Sequence, residues 1–408
     1  MIRPQVEVAD IFRKYGAQYR QLHGASMSRQ QHRAMRAIEI CRTAVLGGHV
    51  DQCDLCAHQR NFYNSCRNRS CPKCQALARA KWLEARMAEL LPVPYYHVVF
   101  TVPQEIAAVA FQNQKVVYTI LFRAASETLR TIAADPKHLG AKIGFLAVLH
   151  TWGQNLLHHP HLHCVIPGGG LSPDHTQWIP CRKKFFLPVR ILSRMFRGKF
   201  LAYLKQAFEA GKLNFFENLQ PLADPLSFSR MLQRNRKPEW VVYAKRPFGD
   251  PAQVLAYLGR YTHRVAISNN RLLELQNDKV TFQWKDYSNG SSKGTMTLDA
   301  HEFIRRFLIH VLPKGFSKLR YFGFFSNRHR IRNLSLCRQL LNAPPAETDP
   351  QDLDWKSRYE KITGESLDSC PVCHQGHMLV VEILYPLWKR RSHSRPPTPP
   401  NQNRIHSP

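Results

Sequence analysis

Apolar residues recur at helical spacing near the start of the chain. Residues 5–46 predict two helices with a break at residues 23–26, and Ser28 suits the N-cap position of the second helix. A basic helix is predicted over residues 75–91, where Pro92 and Pro94 end it. Three further helices are predicted over residues 106–133, 250–265 and 302–312.

Runs of β-branched and aromatic residues alternate with these helices. They predict strands over residues 95–102, 143–152, 161–166, 240–243, 271–276, 279–287, 294–298 and 319–325. Strands interleaved with helices indicate an α+β fold. The predicted domains are a helical and zinc-binding region (1–92), a catalytic core (93–335, with an insertion at 171–238) and a C-terminal region (336–408) that ends in a disordered basic tail.

The charge of the chain indicates a polyanionic partner. Its 58 Lys and Arg residues against 29 Asp and Glu residues give a net charge of +29, which favours nucleic acid, with an anionic membrane surface as the competing interpretation. No apolar run approaches the roughly 20 residues of a membrane helix. The 11 cysteines argue against a secreted disulfide scaffold and for thiolate–metal chemistry in a reducing cytoplasm.

Two C-x-x-C pairs predict a structural zinc site. Each pair can hold an ion from a tight turn, and two pairs complete a closed tetrahedral site of four thiolates. The predicted ligands are Cys53, Cys56, Cys71 and Cys74, with Cys66 as a spare thiol and His49 and His58 as alternatives. Basic residues around these cysteines suggest a finger that contacts DNA, namely Arg67, Arg69 and Lys73. A third pair, Cys370 and Cys373, either binds a second zinc with nearby histidines or forms an ordinary turn.

A histidine-rich strand predicts a second kind of metal site. Residues two apart on a strand share a face, so His161 and His163 can reach one ion while Leu162 faces the core. His150 on the preceding strand is the favoured third ligand, and Gln154 in the turn is the alternative. Imidazole suits zinc, copper, iron and nickel, whereas a site completed by water and phosphate oxygens could hold Mn²⁺ or Mg²⁺ during turnover.

The helix predicted over residues 250–265 carries two tyrosines and two arginines on one face. Tyr257, Arg260, Tyr261 and Arg264 stand at i, i+3, i+4 and i+7. Tyrosine can act as a covalent nucleophile, and arginines can offset charge that develops on phosphorus oxygens. The alternative is a half-buried aromatic pair beside solvated arginines.

Five stretches together resemble one family. They are CDLCAHQRNFYNSCRNRSCPKCQ, YYHVVFTVP, LHTWGQNLLHHPHLHCVIPGGGL, YLGRYTHRVAISNNRL and EFIRRFLIHVLPKGFSKLRYFGFFSNRHR. In this combination the chain resembles the insertion sequence 91 transposases of the His-hydrophobic-His (HUH) endonuclease superfamily over about residues 45–335. The resemblance implies an antiparallel sheet with helices on one face, the fold of rolling-circle replication initiators.

The resemblance also implies an enzyme of the bacterial cytoplasm, associated with the nucleoid, and its mechanism. His161 and His163 would hold the metal, and Tyr257 and Tyr261 would attack single-stranded DNA at element ends and target, giving a 5′-phosphotyrosine link and a free 3′-OH. Because no ATP-binding motif is visible, strand separation would depend on host replication or helicase factors, supercoiling or hairpin ends. Two alternatives stay open: a rolling-circle replication initiator or relaxase, and a zinc-finger protein that binds DNA without cutting it.

Overall fold

The structure, a computed structural model, describes most of the chain. The described residues are 5–87, 89–182, 186–245, 253, 259, 266–286, 292–345, 356–357, 359–360, 364 and 366–390. In this part of the chain, no helix is both long and apolar enough to cross a membrane. The tail from residue 391 and most of the helix predicted over residues 250–265 lie outside the described residues.

The described helices and strands follow one another in a mixed order. The helices are α1 (Val8–His23), α2 (Arg29–Glu39), α3 (Gln75–Met87), α4 (Gln104–Gln112), α5 (Gln114–Ala134), α6 (Val189–Glu209), α7 (Pro225–Arg236), α8 (Ala300–Leu308), α9 (Arg330–Leu340) and α10 (Leu387–Arg390). The strands are β1 (Gly48–Cys53), β2 (Gln59–Tyr63), β3 (Tyr95–Thr101), β4 (Phe145–Trp152), β5 (His158–Pro167), β6 (Gly169–Leu171), β7 (Trp178–Pro180), β8 (Val242–Lys245), β9 (Leu272–Gln276), β10 (Lys279–Asp286), β11 (Ser292–Asp299), β12 (Leu319–Phe322) and β13 (Met378–Leu384).

Five strands form the central sheet, in the order β12-β4-β5-β3-β8. Every neighbouring pair in this sheet is antiparallel. The strand β5 lies in the middle of the sheet and is paired with β4 on one edge and with β3 on the other. The α+β class and the antiparallel sheet are therefore confirmed.

Helices α5 and α6 cover one face of this sheet. Side chains such as Phe100, Leu149, Leu162 and Cys164 point from the strands into this core and are fully buried. The predicted inward direction of Leu162 is thus confirmed. The opposite face carries the histidines of β4 and β5 and a second apolar cluster around Val148, to which α3 and α9 also contribute. The resemblance implied helices on one face of the sheet, whereas α3 and α9 also pack on the other face.

The N-terminal helices pack against residues that come much later in the chain. A shared core joins α1 and α2 to the meander β9-β10-β11 and to α8. Phe12 of α1, for example, contacts Phe307 of α8 edge to face, with ring centroids 5.3 Å apart. Ser28 caps α2 as predicted, since its hydroxyl accepts from the backbone N–H of Gln31 at 3.3 Å. Packing therefore crosses the predicted boundary at residue 92.

The C-terminal region returns to the N-terminal one. The strand β13 pairs antiparallel with β1, which forms a hairpin with β2, so the order of this small sheet is β13-β1-β2. Residues 378–384 thus complete a sheet begun at residue 48, and strand pairing crosses the predicted boundary at residue 335.

Candidate functional site

Three histidines converge on the face of the central sheet opposite α5 and α6. His150 of β4 lies directly across from His161 of β5, and His163 follows two residues later on the same face. Their ring centroids are 4.2 Å apart for His150–His163, 4.8 Å for His161–His163 and 5.3 Å for His150–His161. One ring nitrogen from each lies within 4.8 Å of the other two. We call these three residues the histidine group.

The hydrogen bonds of these rings decide which nitrogens can bind a metal. The Nδ1 of His161 lies 2.6 Å from the carbonyl oxygen of His159. A carbonyl can only accept, so Nδ1 carries the proton and Nε2 keeps its lone pair. The Nδ1 of His163 lies 2.8 Å from the Nε2 of His97, and these two rings stack with an interplanar angle of 2°. Such contacts on the far nitrogen fix ring orientation in metal sites.

Burial keeps the imidazoles of His161 and His163 neutral. Desolvation lowers the pKa of His161 to about 4, opposed by its hydrogen bond to His159. The pKa of His163 lies well below its usual value because of desolvation first and the nearby His150 and His161 second. Neutral imidazole is the form that binds a cation. The donor set therefore fits a divalent cation.

Sequence reasoning missed His97, which is 2% exposed. It lies on β3, which pairs with β5 so that Val99 stands opposite His163. The one signal in the sequence is a histidine within the apolar run YYHVVFTVP. Its contact with His163 could not be predicted without knowing that β3 lies next to β5.

A further polar network lies at the start of β5. The hydroxyl of Tyr118 contacts the Nε2 of His158 at 2.8 Å. His310 contacts the Oγ1 of Thr151 at 3.1 Å through Nδ1 and the carbonyl oxygen of Leu156 at 3.0 Å through Nε2. Desolvation is the main reason that the pKa of His158 falls to about 4 and that of His310 to about 3. The strand begins at His158 rather than at the predicted residue 161.

The predicted tyrosine face lies outside the described residues. This applies to Tyr257, Tyr261, Arg260 and Arg264. Gly259, which stands between the two tyrosines in the sequence, is described, helical and buried. A Cβ placed on it would lie 2.6 Å from the Cδ2 of Leu83 in α3. Leu83 packs against the apolar cluster beside the histidine group.

The four predicted zinc ligands do not form one cluster. Cys71 and Cys74 lie with Cys41 and Cys66, whereas Cys53 and Cys56 lie with a different pair of cysteines. The physical reason is the strand β2 between them. The Cys53–Cys56 turn is at the tip of the β1–β2 hairpin, and Cys66 follows the other end of β2, so this five-residue strand of roughly 17 Å separates the two pairs. The predicted grouping is thus wrong.

The first cluster, which we call the base cluster, consists of Cys41, Cys66, Cys71 and Cys74. The Sγ of Cys74 lies 3.4 Å from the Sγ of Cys41 and 3.4 Å from that of Cys66. Hydrogen bonds from the neighbouring thiols hold the pKa of Cys74 well below its usual value. Cys66 is therefore a member of this cluster rather than a spare thiol. His49 instead stacks on Phe62, with ring centroids 5.3 Å apart.

Two of the three basic residues near this cluster have partners within the protein. Arg69 donates to the backbone carbonyls of Leu312, Pro313 and Phe316 at 2.6–2.8 Å. Lys73 forms an ion pair with Glu7 in which both side chains are largely buried. Arg67 is exposed. Arg69 and Lys73, which were predicted to contact DNA, thus already bind groups within the protein.

Comparisons with known proteins agree with this architecture. A family model described as "Transposase zinc-binding domain" matches residues 11–102, and one described as "Putative transposase" matches residues 144–333. The chain is 60% identical over 386 residues to "Putative transposase y4qJ" of Sinorhizobium fredii, covering 94% of this chain and 97% of that protein. It is 29% identical over 294 residues to "Transposase for insertion sequence element IS801" of Pseudomonas savastanoi pv. phaseolicola, covering 71% of this chain and 68% of that protein.

Proposed function

This chain belongs to the insertion sequence 91 family of transposases, and we propose that it cuts and rejoins single-stranded DNA at element ends through a 5′-phosphotyrosine intermediate. The observation that carries the proposal is the histidine group, in which three imidazoles meet on one face of an antiparallel sheet. DNA is the substrate of a transposase. The proposal further specifies that this DNA is single-stranded and that transposition follows the rolling-circle pathway.

The histidine group would hold the divalent cation, Mn²⁺ or Mg²⁺. When bound, the cation supplies charge stabilisation and orientation at the scissile phosphate. The contribution of the protein is a preorganised set of donors. His159 fixes the tautomer of His161 through its carbonyl oxygen, and His97 orients His163. Three protein nitrogens leave coordination positions open for phosphate oxygens and water.

We assign the nucleophiles to Tyr257 and Tyr261. Gly259 supports this assignment, because it packs against Leu83 and Leu83 belongs to the cluster that includes Val148. Val148 stands directly opposite His163 in the sheet, so both lie on one face. Gly259, which stands between the two tyrosines in the sequence, therefore packs on the face that carries the histidine group.

The proposed cleavage step exchanges one phosphodiester for another. The phenolic oxygen of a tyrosine attacks phosphorus, a P–O(Tyr) bond forms, and the bond from phosphorus to the 3′ oxygen breaks. The leaving 3′ oxygen takes up a proton, and the phenolic proton is released to solvent. Because bond type is conserved, attack by a 3′-OH on the tyrosyl ester can rejoin a strand without ATP. With two tyrosines, one can hold the cut strand while the other acts on a second strand.

Binding of the strand rests on charge. A net charge of +29 favours a polyanion through counterion release, and Arg67, Arg260 and Arg264 are the arginines that we assign to phosphate contacts. Host replication or helicase factors would supply the separated strand.

The test is a cleavage assay on single-stranded oligonucleotides that carry the element ends, with Mn²⁺ or Mg²⁺, on denaturing gels. Wild type is compared with Tyr257→Phe, Tyr261→Phe, the double variant and His161→Ala/His163→Ala. Tyr385→Phe and His175→Ala are matched controls, because both residues are exposed and neither belongs to the proposed machinery. We expect a metal-dependent protein–DNA adduct that both controls retain.

The adduct should disappear in the double tyrosine variant and in the histidine variant, and its dependence on one tyrosine would identify the first nucleophile. A folded, zinc-loaded protein that binds these oligonucleotides but never forms an adduct would contradict the proposal and favour a DNA-binding protein without nuclease activity.

A further inference from the structure

A second group of four cysteines joins two parts of the chain that lie more than 300 residues apart. The Sγ of Cys53 lies 3.6 Å from that of Cys373, and the Sγ of Cys56 lies 3.6 Å from that of Cys370. Four thiolates around zinc at 2.3 Å stand about 3.8 Å from one another, whereas a disulfide would bring two sulfurs to about 2.05 Å. The sulfurs are therefore spaced as ligands of one ion.

Both C-x-x-C turns have the same backbone form. In each turn, backbone N–H groups within the next three residues point at a cysteine sulfur at 3.4–3.5 Å. The residue after the second cysteine takes a left-handed conformation in both, with φ 58° at Ala57 and φ 58° at His374. N–H groups that point at sulfur stabilise the thiolate, which is the form that binds metal. Two similar turns thus face each other across one site.

The backbone around the site allows a close approach of the two turns. Asp54 accepts from the backbone N–H of His377 at 2.8 Å through its carboxylate and donates its own N–H to the carbonyl of His377 at 3.1 Å. Gly376 is required here, because a Cβ at this position would lie 2.4 Å from the Sγ of Cys53. The strands β1 and β13 then continue the contact, with Cys53 opposite Met378.

The apolar core at this end of the sheet is very small. Its buried members are Cys53, Cys370 and Met378, with Cys373 packed against them. So small a core contributes little hydrophobic stabilisation, and small domains of this kind commonly depend on a bound metal. A closed four-thiolate site has no open position for a substrate, so its role would be structural.

We propose that Cys53, Cys56, Cys370 and Cys373 bind a second structural zinc ion, which we call the tip site. It would fasten the C-terminal strand β13 to the N-terminal hairpin. The matched zinc-binding family region ends at residue 102, so half of the ligands of this site lie far outside it. The base cluster would hold the other structural ion.

Zinc content, measured on the purified full chain by mass spectrometry, tests this proposal through additivity. We expect Cys370→Ser/Cys373→Ser to lose one equivalent of zinc, and Cys53→Ser/Cys56→Ser to lose the same one. Combining the four substitutions should therefore lose no more than either pair does. Cys71→Ser/Cys74→Ser should lose a different equivalent, so that combining it with Cys370→Ser/Cys373→Ser removes two. Cys181→Ser is the matched control, since this cysteine belongs to neither group.

Retention of all zinc by Cys370→Ser/Cys373→Ser would overturn the proposal. So would additive losses between the Cys53/Cys56 and Cys370/Cys373 pairs. Should the serine variants fail to fold, Cys373→His keeps a donor in place and should retain zinc. With Co²⁺ in place of zinc, its thiolate-to-metal absorption should be weaker than that of wild type, and an unchanged spectrum would count against Cys373 as a ligand.

Discussion

Removal of the Arg69 side chain separates a structural role from a DNA-binding role. Its guanidinium donates to three backbone carbonyls at 2.6–2.8 Å, on the segment that follows α8. Hydrogen bonds from a charged donor contribute about 1.5–3 kcal/mol each when buried. Two of the three carbonyl contacts are only partly buried and the third is exposed. Because water can replace part of the loss, we expect Arg69→Ala to lower the free energy of unfolding by about 2–4 kcal/mol.

The assay is urea unfolding of the zinc-loaded protein, followed by tryptophan fluorescence. Arg67→Ala is the matched control, because Arg67 lies two residues earlier in the same loop and is exposed, as Arg69 is. A surface substitution of this kind should change the unfolding free energy by less than about 0.5 kcal/mol. The salt dependence of single-stranded DNA binding is measured on both variants.

The reasoning fails if Arg69→Ala unfolds at the wild-type urea concentration while the slope of log K against log salt falls by about 0.7, the value for one lost phosphate contact on a single strand. Arg69 would then contact DNA, as the sequence suggested. The structure predicts the reverse pattern, a loss of stability at Arg69 with an unchanged salt slope.

Three further predictions follow from buried groups. His97→Ala should weaken binding of Mn²⁺ about 10–100-fold because the ring of His163 loses the contact that orients it, and His97→Gln should restore part of that affinity. Equal Mn²⁺ affinities of wild type and His97→Ala, measured by calorimetry, would refute an orienting role for His97. Because burial lowers the pKa of His158 to about 4 and of His310 to about 3, the unfolded chain binds more protons below its own histidine pKa of about 6.5. The contribution of these histidines to stability should therefore be full above pH 7 and fall as the pH drops from about 6.5 towards 4. The urea midpoint of His158→Gln should depend less on pH than that of wild type, and an equal pH dependence of the two proteins would contradict this reasoning. Gly259→Ala should reduce adduct formation because its Cβ would meet Leu83 at 2.6 Å, and Leu83→Ala should restore it, whereas failure of this rescue would mean that the contact does not limit activity.

The local features of this fold could be predicted from the sequence. The apolar alternation around Leu162 placed a strand with its histidines on one face, and the Ser28 cap marked the start of α2. The helix expected over residues 106–133 is instead two helices, because Asn113 ends α4 and its side chain bonds to Asn214. That partner lies 101 residues away, and no local pattern reports it.

The grouping of the cysteines could not be predicted for the same reason. Two C-x-x-C pairs at short spacing suggested one site, but a hairpin lies between them and moves their turns to opposite ends. The partners of Cys53 come from residues 370 and 373. In the histidine group, by contrast, His150 and His161 are joined by a short β-hairpin, so its three members could be predicted while His97 could not.

The pairing of β1 with β13 also determines when, during synthesis of the chain, the small sheet can be completed. The two strands are separated by more than 320 residues, and a ribosome adds roughly 5–20 residues per second. The edge of β1 would therefore wait roughly 15–65 s for its partner. During that time the exposed edge is a template for pairing with other chains. A nascent or truncated transposase that lacks β13 would thus be the form most open to aggregation and degradation, and synthesis of β13 would allow the sheet β13-β1-β2 to form.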